Sequence, residues 1–221
     1  MEYHKINTCF KRDDQGNIMF GEWSCPEFEY LKNNEWVFTE KIDGTNIRVI
    51  WDNNELELKG KREQSEIPRI LEKKLLNIFH PVLFDFDKFI SKFGIDSNVT
   101  LYGEGFGNKI QTDGKRYNPI GVDFILFDVR IGDLWLERHN VEDIANHFGI
   151  KCVPIIQEGT LGNMIDIVKR GFNSVFGEFQ AEGVVARPKI ELQDRQGNRI
   201  ITKLKCKDFK IINNPKPEWR K

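Results

Sequence analysis

The chain has 221 residues, with 33 basic against 34 acidic side chains, a formal net charge of -1, 30% charged residues and 39% hydrophobic ones. This length suits one domain with a real core, and the composition excludes a disordered chain. It also excludes binding a polyanion through overall charge, although a balanced total can hide a local basic face.

Cys9, Cys25, Cys152 and Cys206 form no Cys-x-x-Cys pair, which argues against a zinc ribbon and for reduced thiols in the cytoplasm. The N-terminus carries no apolar signal region, and no apolar run is long enough to cross a membrane.

Residues 1–34 read as irregular, with Asp13-Asp14-Gln15-Gly16-Asn17 as a turn and Trp23, Phe28 and Tyr30 packing onto the domain. Glu35-Trp36-Val37-Phe38-Thr39 and Ile47-Arg48-Val49-Ile50-Trp51, rich in β-branched and aromatic residues, predict strands on either side of Glu40-Lys41-Ile42-Asp43-Gly44-Thr45-Asn46. Asp43-Gly44 marks a tight turn, which sets Lys41 beside a bend where a phosphate can approach backbone N–H groups. Asp52-Asn53-Asn54 turns the chain into Glu55-Leu56-Glu57-Leu58, a half-buried strand by its alternation, which runs into Lys59-Gly60-Lys61-Arg62. Residues 66–79 carry Ile67, Ile70, Leu71, Leu75, Ile78 and Phe79 at helical spacing, with Pro68 in the first turn and Pro81 at the end. A second amphipathic helix carries Val82, Phe86, Phe89, Ile90 and Phe93, with Gly94 as its C-cap.

Val99-Thr100-Leu101-Tyr102-Gly103-Glu104-Gly105 predicts a strand that ends in glycines around one carboxylate, and residues 107–120 a polar loop. Residues 122–129 predict a mostly buried strand, which Gly132-Asp133 turns into Leu134-Trp135-Leu136. Helices are predicted over 141–148 and 160–172, with Cys152-Val153-Pro154-Ile155-Ile156 as a short strand between them. Glu182 leads a strand over 183–188; Asp194-Arg195-Gln196-Gly197-Asn198 is a hairpin turn; residues 199–207 return as a strand on which Lys203, Lys205 and Lys207 alternate. No internal repeat is present. Hairpin-connected strands with inserted helices predict an α+β domain of antiparallel sheets, a single domain over residues 1–221 with no separate C-terminal domain.

Polar residues gather at the predicted strand ends: Lys41, Asp43, Asn46, Arg62, Glu104, Glu182, Lys205 and Lys207. Triphosphate chemistry needs these types, because cations neutralise phosphates and carboxylates hold Mg²⁺ and bind hydroxyls. An amine nucleophile must be neutral, whereas lysine's reference pKa is about 10.4, so neighbouring cations or a metal ion would be required. Each residue also has a structural reading: Lys41 as a surface lysine by a turn, Phe127 as core, the last lysines as a solvated strand face, Asp43 as a turn former.

Taken in order, Lys41-Ile42-Asp43-Gly44, Arg62, Tyr102-Gly103-Glu104-Gly105, Phe124-Ile125-Leu126-Phe127-Asp128, Glu182-Gly183-Val184-Val185 and Lys205-Cys206-Lys207 resemble the motifs of the covalent lysine nucleotidyltransferases. That superfamily comprises DNA ligases, RNA ligases and mRNA capping enzymes, and the resemblance runs from Trp36 to Lys207. DNA ligases and capping enzymes usually carry arginine where this chain has Asn46. The Gly44-Thr45-Asn46 turn is instead similar to RNA ligases of the phage nick-sealing and trypanosome editing type, many of which have histidine where this chain has Asp43.

The resemblance implies an ATP-grasp-like adenylation fold of antiparallel sheets flanked by helices, and an ATP-dependent RNA ligase, cytoplasmic or a viral protein in host cytoplasm. It implies that Lys41 attacks the α-phosphate of ATP and carries AMP, while Lys205 and Lys207 neutralise that phosphate. Asn46 would sit by the α-phosphate, Glu104 on the ribose, and Arg62 on the ribose or phosphates. Phe127 would stack on adenine with Glu40 beside it, and Glu182 would hold Mg²⁺ (or Mn²⁺). RNA ends or a nicked duplex would be the nucleic-acid partner. Only residues 208–221 follow the last motif, so the second domain usual in nick-sealing ligases is not expected. Lys59, Lys61, Lys109, Lys115 and Arg116 are then candidate phosphate contacts, or a partner protein supplies substrate binding. A minimal DNA ligase and a binding module without turnover are the alternatives, and the motifs leave ATP against NAD open.

Overall fold

The computed structural model describes residues 1–80 and 87–213. In chain order, β1 (Asn7–Thr8), β2 (Phe10–Arg12), β3 (Ile18–Trp23), α1 (Pro26–Tyr30) and β4 (Trp36–Lys41) come first. They are followed by β5 (Thr45–Asp52), β6 (Glu55–Gly60), α2 (Arg69–Phe79), α3 (Asp87–Phe93), β7 (Val99–Gly107), β8 (Val122–Ile131), β9 (Leu134–Trp135), α4 (Arg138–Phe148) and β10 (Lys151–Cys152). Then come β11 (Ile155–Gly159), α5 (Leu161–Arg170), β12 (Gly183–Pro188), β13 (Thr202–Lys205) and α6 (Cys206–Asn213). Two compact units result: one takes Met1–His4 and Asp43–Val153, the other Lys5–Ile42 and the chain from Pro154 on.

The first unit is built on a sheet of order β10-β8-β7-β5-β6, with β9 on β8; all its pairs are antiparallel except β10 with β8. Period-two alternation sends Ile47, Val49 and Trp51 of β5, Leu101 of β7 and Leu126 of β8 into one buried cluster with Leu71, Leu75 and Phe79 of α2. Trp51 and Phe89 stack at 5.1 Å, both fully buried. Truncating either to alanine leaves a ring-sized cavity, so Trp51→Ala should cost about 3–5 kcal/mol of stability. Urea melts read this directly, and a loss below about 1 kcal/mol would show that the stack is not a core contact.

The second unit has a sheet of order β1-β13-β12-β4-β11 and a separate β2–β3 hairpin. Trp36 and Phe38 of β4, Val184 and Ala186 of β12 and Leu204 of β13 pack with Leu161, Met164 and Val168 of α5. Thr160 opens α5 with a capping box to Asn163.

Several expectations need correction. Residues 1–34 are not irregular: they contain β1, β2, β3 and α1, and β1 pairs in parallel with β13, a partner no local pattern announces. Phe28 is buried as expected, but Tyr30 is 86% exposed. β4 and β5 do not form a hairpin; they join different sheets. The strand expected over 152–156 is split into β10 and β11, one in each unit. The returning strand ends at Lys205 and the chain turns helical at Cys206, because Asp208 accepts a hydrogen bond from Lys205 N (3.3 Å) while paired with Arg12 at 2.9 Å. Lys207 therefore lies in the first turn of α6, not on a strand. Pro81, Val82, Phe86 and Pro215-Lys216-Pro217 fall outside the described residues. Among those described, no helix is long and apolar enough to cross a membrane. The four cysteines are free thiols; burial pushes Cys9 up to about 12 and Cys25 and Cys152 up to about 11, which makes them poor nucleophiles.

Candidate active site

Within the second unit, three neighbouring strands bring their ends to one level. Gly183, the first residue of β12, is in register with Lys41, the last of β4, on one side and with Lys205, the last of β13, on the other. Glu182, one residue ahead, takes both lysines: Lys41 Nζ donates to Oε2 and Lys205 Nζ to Oε1, each at 2.6 Å. A side chain at position 183 is impossible without parting the strands, since a Cβ would stand 2.1 Å from the Leu204 carbonyl oxygen. The lysine side chains keep 22% and 26% exposure and Glu182 keeps 14%. In such a partly solvated setting each ion pair contributes only about 1 kcal/mol or less. What the row provides is position: an amine, a carboxylate and a second cation within one side chain of each other.

Glu40 precedes Lys41 on β4 and is 1% exposed. Its Oε2 accepts a hydrogen bond from Val175 N at 3.0 Å, while Oε1 is buried with no partner in the protein. Burial raises its carboxyl above the ordinary range, opposed by hydrogen bonds from Ser174 and Val175. The loop at 174–175 was not legible in the sequence, because it meets Glu40 only through the fold. Lys207 is exposed in the first turn of α6, and of the two motif lysines it is Lys205 that pairs with Glu182.

The first unit carries the other motif residues. Asp43 is half-buried in the link that leads into β5. Asn46 on β5 and Glu104 on β7 are directly opposite, so they share a face. The Asn46 Oδ1 is buried and has no partner among the described residues. The glycines around Glu104 have a packing cause: a Cβ at Gly103 would stand 2.2 Å from the Phe124 ring, and one at Gly105 2.3 Å from Leu71. Gly44 is needed for Glu104 itself, since a Cβ there would lie 2.8 Å from Glu104 Cγ. Phe127 occupies a register shift between the Tyr102–Asp128 and Gly103–Leu126 pairs. It is half-buried and stands outside the core cluster, with Tyr3 edge-on at 5.1 Å. Arg62 is exposed in the turn after β6, where its N–H donates to Ser65 Oγ at 3.1 Å.

No group of three His, Cys, Asp or Glu side chains among the described residues could cage a metal ion. A lone carboxylate such as Glu182 suits a divalent cation that brings phosphate oxygens and water as its remaining ligands.

The RNA ligase family model matches residues 34–205, from the strand before Lys41 to Lys205 itself. The chain belongs to the RNA ligase family. Its fold is shared by solved Naegleria gruberi RNA ligases. An arginine-to-alanine variant with ATP and Mn superposes with a TM-score of 0.63 at 18% identity, over 96% of this chain and 60% of that one. The same ligase with PPi gives 0.60 at 18% identity, over 97% and 64%. A lysine-to-alanine variant with ATP and Mn gives 0.62 at 18%, over 92% and 57%. The match thus spans 57–64% of the length of those chains.

Proposed function

We propose that the chain is an ATP-dependent RNA ligase that works through a lysyl-AMP intermediate. The Lys41–Glu182–Lys205 row carries this reading, because it gives a nucleophilic amine a carboxylate at hydrogen-bond distance and a second cation beside it. Nζ of Lys41 gives up the proton it shares with Glu182 and attacks the α-phosphorus of ATP. An N–P bond forms, the bond to the bridging oxygen breaks, and pyrophosphate leaves. A 5′-phosphate oxygen of RNA then displaces the lysine, giving an adenylylated end. A 3′-hydroxyl attacks that 5′-phosphate and AMP departs with the bonding electrons.

Lys205 neutralises the α-phosphate, and Glu182 would hold Mg²⁺ or Mn²⁺, an ion that would supply charge neutralisation at the triphosphate. Lys207, exposed in the first turn of α6, would reach a phosphate from the surface. Glu40 stands beside the adenine, with its unpartnered oxygen as acceptor for an amino group. Asn46 faces the α-phosphate, Glu104 the ribose, Arg62 the ribose or phosphates, and Phe127 the adenine ring. The setting is cytoplasmic, and a partner protein is one route to substrate binding.

The substrate is tested by sealing nicked duplexes with RNA or DNA at the 3′-hydroxyl side. RNA-selective sealing supports the reading, equal or better DNA sealing favours the minimal DNA ligase, and neither favours a binding module. Of the candidate phosphate contacts, Lys59 is paired with Glu57 and Glu63, and Arg116 with Asp113. Exposed Lys61, Lys109 and Lys115 remain. Three contacts predict a slope of about -3 for log K against log salt on duplex nucleic acid. Tight binding insensitive to salt would remove these lysines from the interface.

A further inference from the structure

Arg48 is a fully buried charge in the first unit, with 0% exposure. Its neighbours on β5, Ile47 and Val49, face the core, while Arg48 itself lies on the opposite face with Asn46. A buried guanidinium is expensive unless its donors are used, and a methionine would fill the same space without that cost. Nε and Nη1 are used, and both reach the turn that carries Arg62, while Nη2 is buried with no partner among the described residues. Nε donates to the Gly60 carbonyl at 2.9 Å, and Nη1 donates to Glu63 Oε1 at 2.8 Å. Lys59 stands directly opposite Arg48 across the β5–β6 pair, a like-charge contact that would be destabilising alone. Glu63 resolves it by giving its other oxygen to Lys59, also at 2.8 Å. Ser65 closes the turn: its N–H donates to the Arg62 carbonyl at 3.0 Å, its hydroxyl accepts from Arg62 N, and a Cβ at Gly60 would stand 2.7 Å from Ser65 Cβ. The chain is thus pinned at 60 and at 63, with Arg62 between the pins and its side chain exposed.

We propose that Arg48, acting through Gly60 and Glu63, is a positioning residue that fixes the backbone on both sides of Arg62 and so aims Arg62 at the nucleotide. The last clause rests on the ligase reading above; the brace itself does not. The carboxyl of Glu63 is held down to about 2, by Lys59 first and then Arg48. Its folded value lies below the usual carboxylate range, so the brace is intact at neutral pH and is lost only as pH falls toward that value.

Removal of Arg48 would empty a buried site and threaten folding, so the exposed partner carries the test. Glu63→Gln keeps the shape and drops the charge. The first measurement is the rate of tryptic cleavage after Lys61 and Arg62, divided by the rate in short unstructured peptides of the same sequence with and without the substitution, which removes the direct effect of residue 63 on trypsin, and taken beside the thermal midpoint. The expected result is cleavage at least about fivefold faster than in the wild type, with the midpoint little changed, because a freed turn opens more often. Equal cleavage rates overturn the brace.

The second measurement is the ATP dependence of protein labelling in the wild type, Glu63→Gln, Arg62→Ala and the double variant. Glu63→Gln should raise the KM for ATP about tenfold, as a misaimed contact does, and should add nothing in the Arg62→Ala background. Additive losses, or no change in either single variant, overturn the positioning role. A wild type that takes no label while cleavage still responds as expected removes the ligase reading and leaves the brace standing.

Discussion

Lys41→Ala should take up no label from ATP labelled at the α-phosphate, under conditions in which the wild type does. The variant removes the amine proposed to form the N–P bond, and nucleophile deletions cost about 10⁴–10⁶-fold in rate where residues act as a unit. It should fold, because Lys41 closes β4 with its side chain 22% exposed and no place in the buried cluster. GTP and NAD run in parallel identify the donor. Label that persists in Lys41→Ala would move the covalent site elsewhere. Absence of label in both proteins calls for a mass measurement first, since AMP already attached would block the reaction. A wild-type mass without AMP then leaves a binding module.

Glu182→Gln should also damage activity, by less than loss of the amine, while sparing Lys41. The amide keeps the shape of the carboxylate but cannot balance two ammonium groups that now sit 2.6 Å from its oxygens. One end of an amide is itself a donor, so it repels whichever lysine it meets. The row should open, with Lys41 and Lys205 swinging to solvent. Loss of one preorganised electrostatic element costs about 10²–10³-fold in rate, and that is the expected fall in labelling. The stability loss should be only on the order of 1 kcal/mol, because all three side chains are partly solvated. If Glu182 also holds the divalent cation, the Mn²⁺ concentration for half-maximal labelling should rise in the variant. Labelling within threefold of the wild type at unchanged Mn²⁺ demand would remove Glu182 from the chemistry.

Much of the fold was legible because its signals are local. Alternation over Ile47-Arg48-Val49-Ile50-Trp51 became a strand with one face in the core, and Asp52-Asn53-Asn54 became the turn between β5 and β6, with Asn53 and Asn54 at positive φ. What failed was non-local. The pairing of β1 with β13 joins residues about two hundred positions apart in sequence, and neither strand is long enough to announce itself. Lys207 looked like part of an alternating strand, but Asp208 and Arg12 end that strand two residues earlier. The candidate site shows the same division. Motif order named Lys41, Glu182 and Lys205, yet nothing in their spacing says that one carboxylate serves both lysines. Arg48 drew no attention, since an arginine at a polar phase of a strand normally reaches water; only tertiary structure shows it sealed beneath its neighbours.

The row at Lys41, Glu182 and Lys205 also constrains when the protein can act during its own synthesis. Its three members come from β4, the start of β12 and β13, so the first must wait for more than 140 further residues before a partner exists. Pairing over such separations is slow, because loop closure must be met before contacts reward it. The unit that spans Asp43–Val153 is by contrast nearly continuous and can form while the ribosome still holds the remainder. A nascent chain halted before β13 would therefore show a protease-resistant middle and no capacity to take label. On the proposed reading Lys41 is made early and gains its partners last, so an incomplete chain should take up no label.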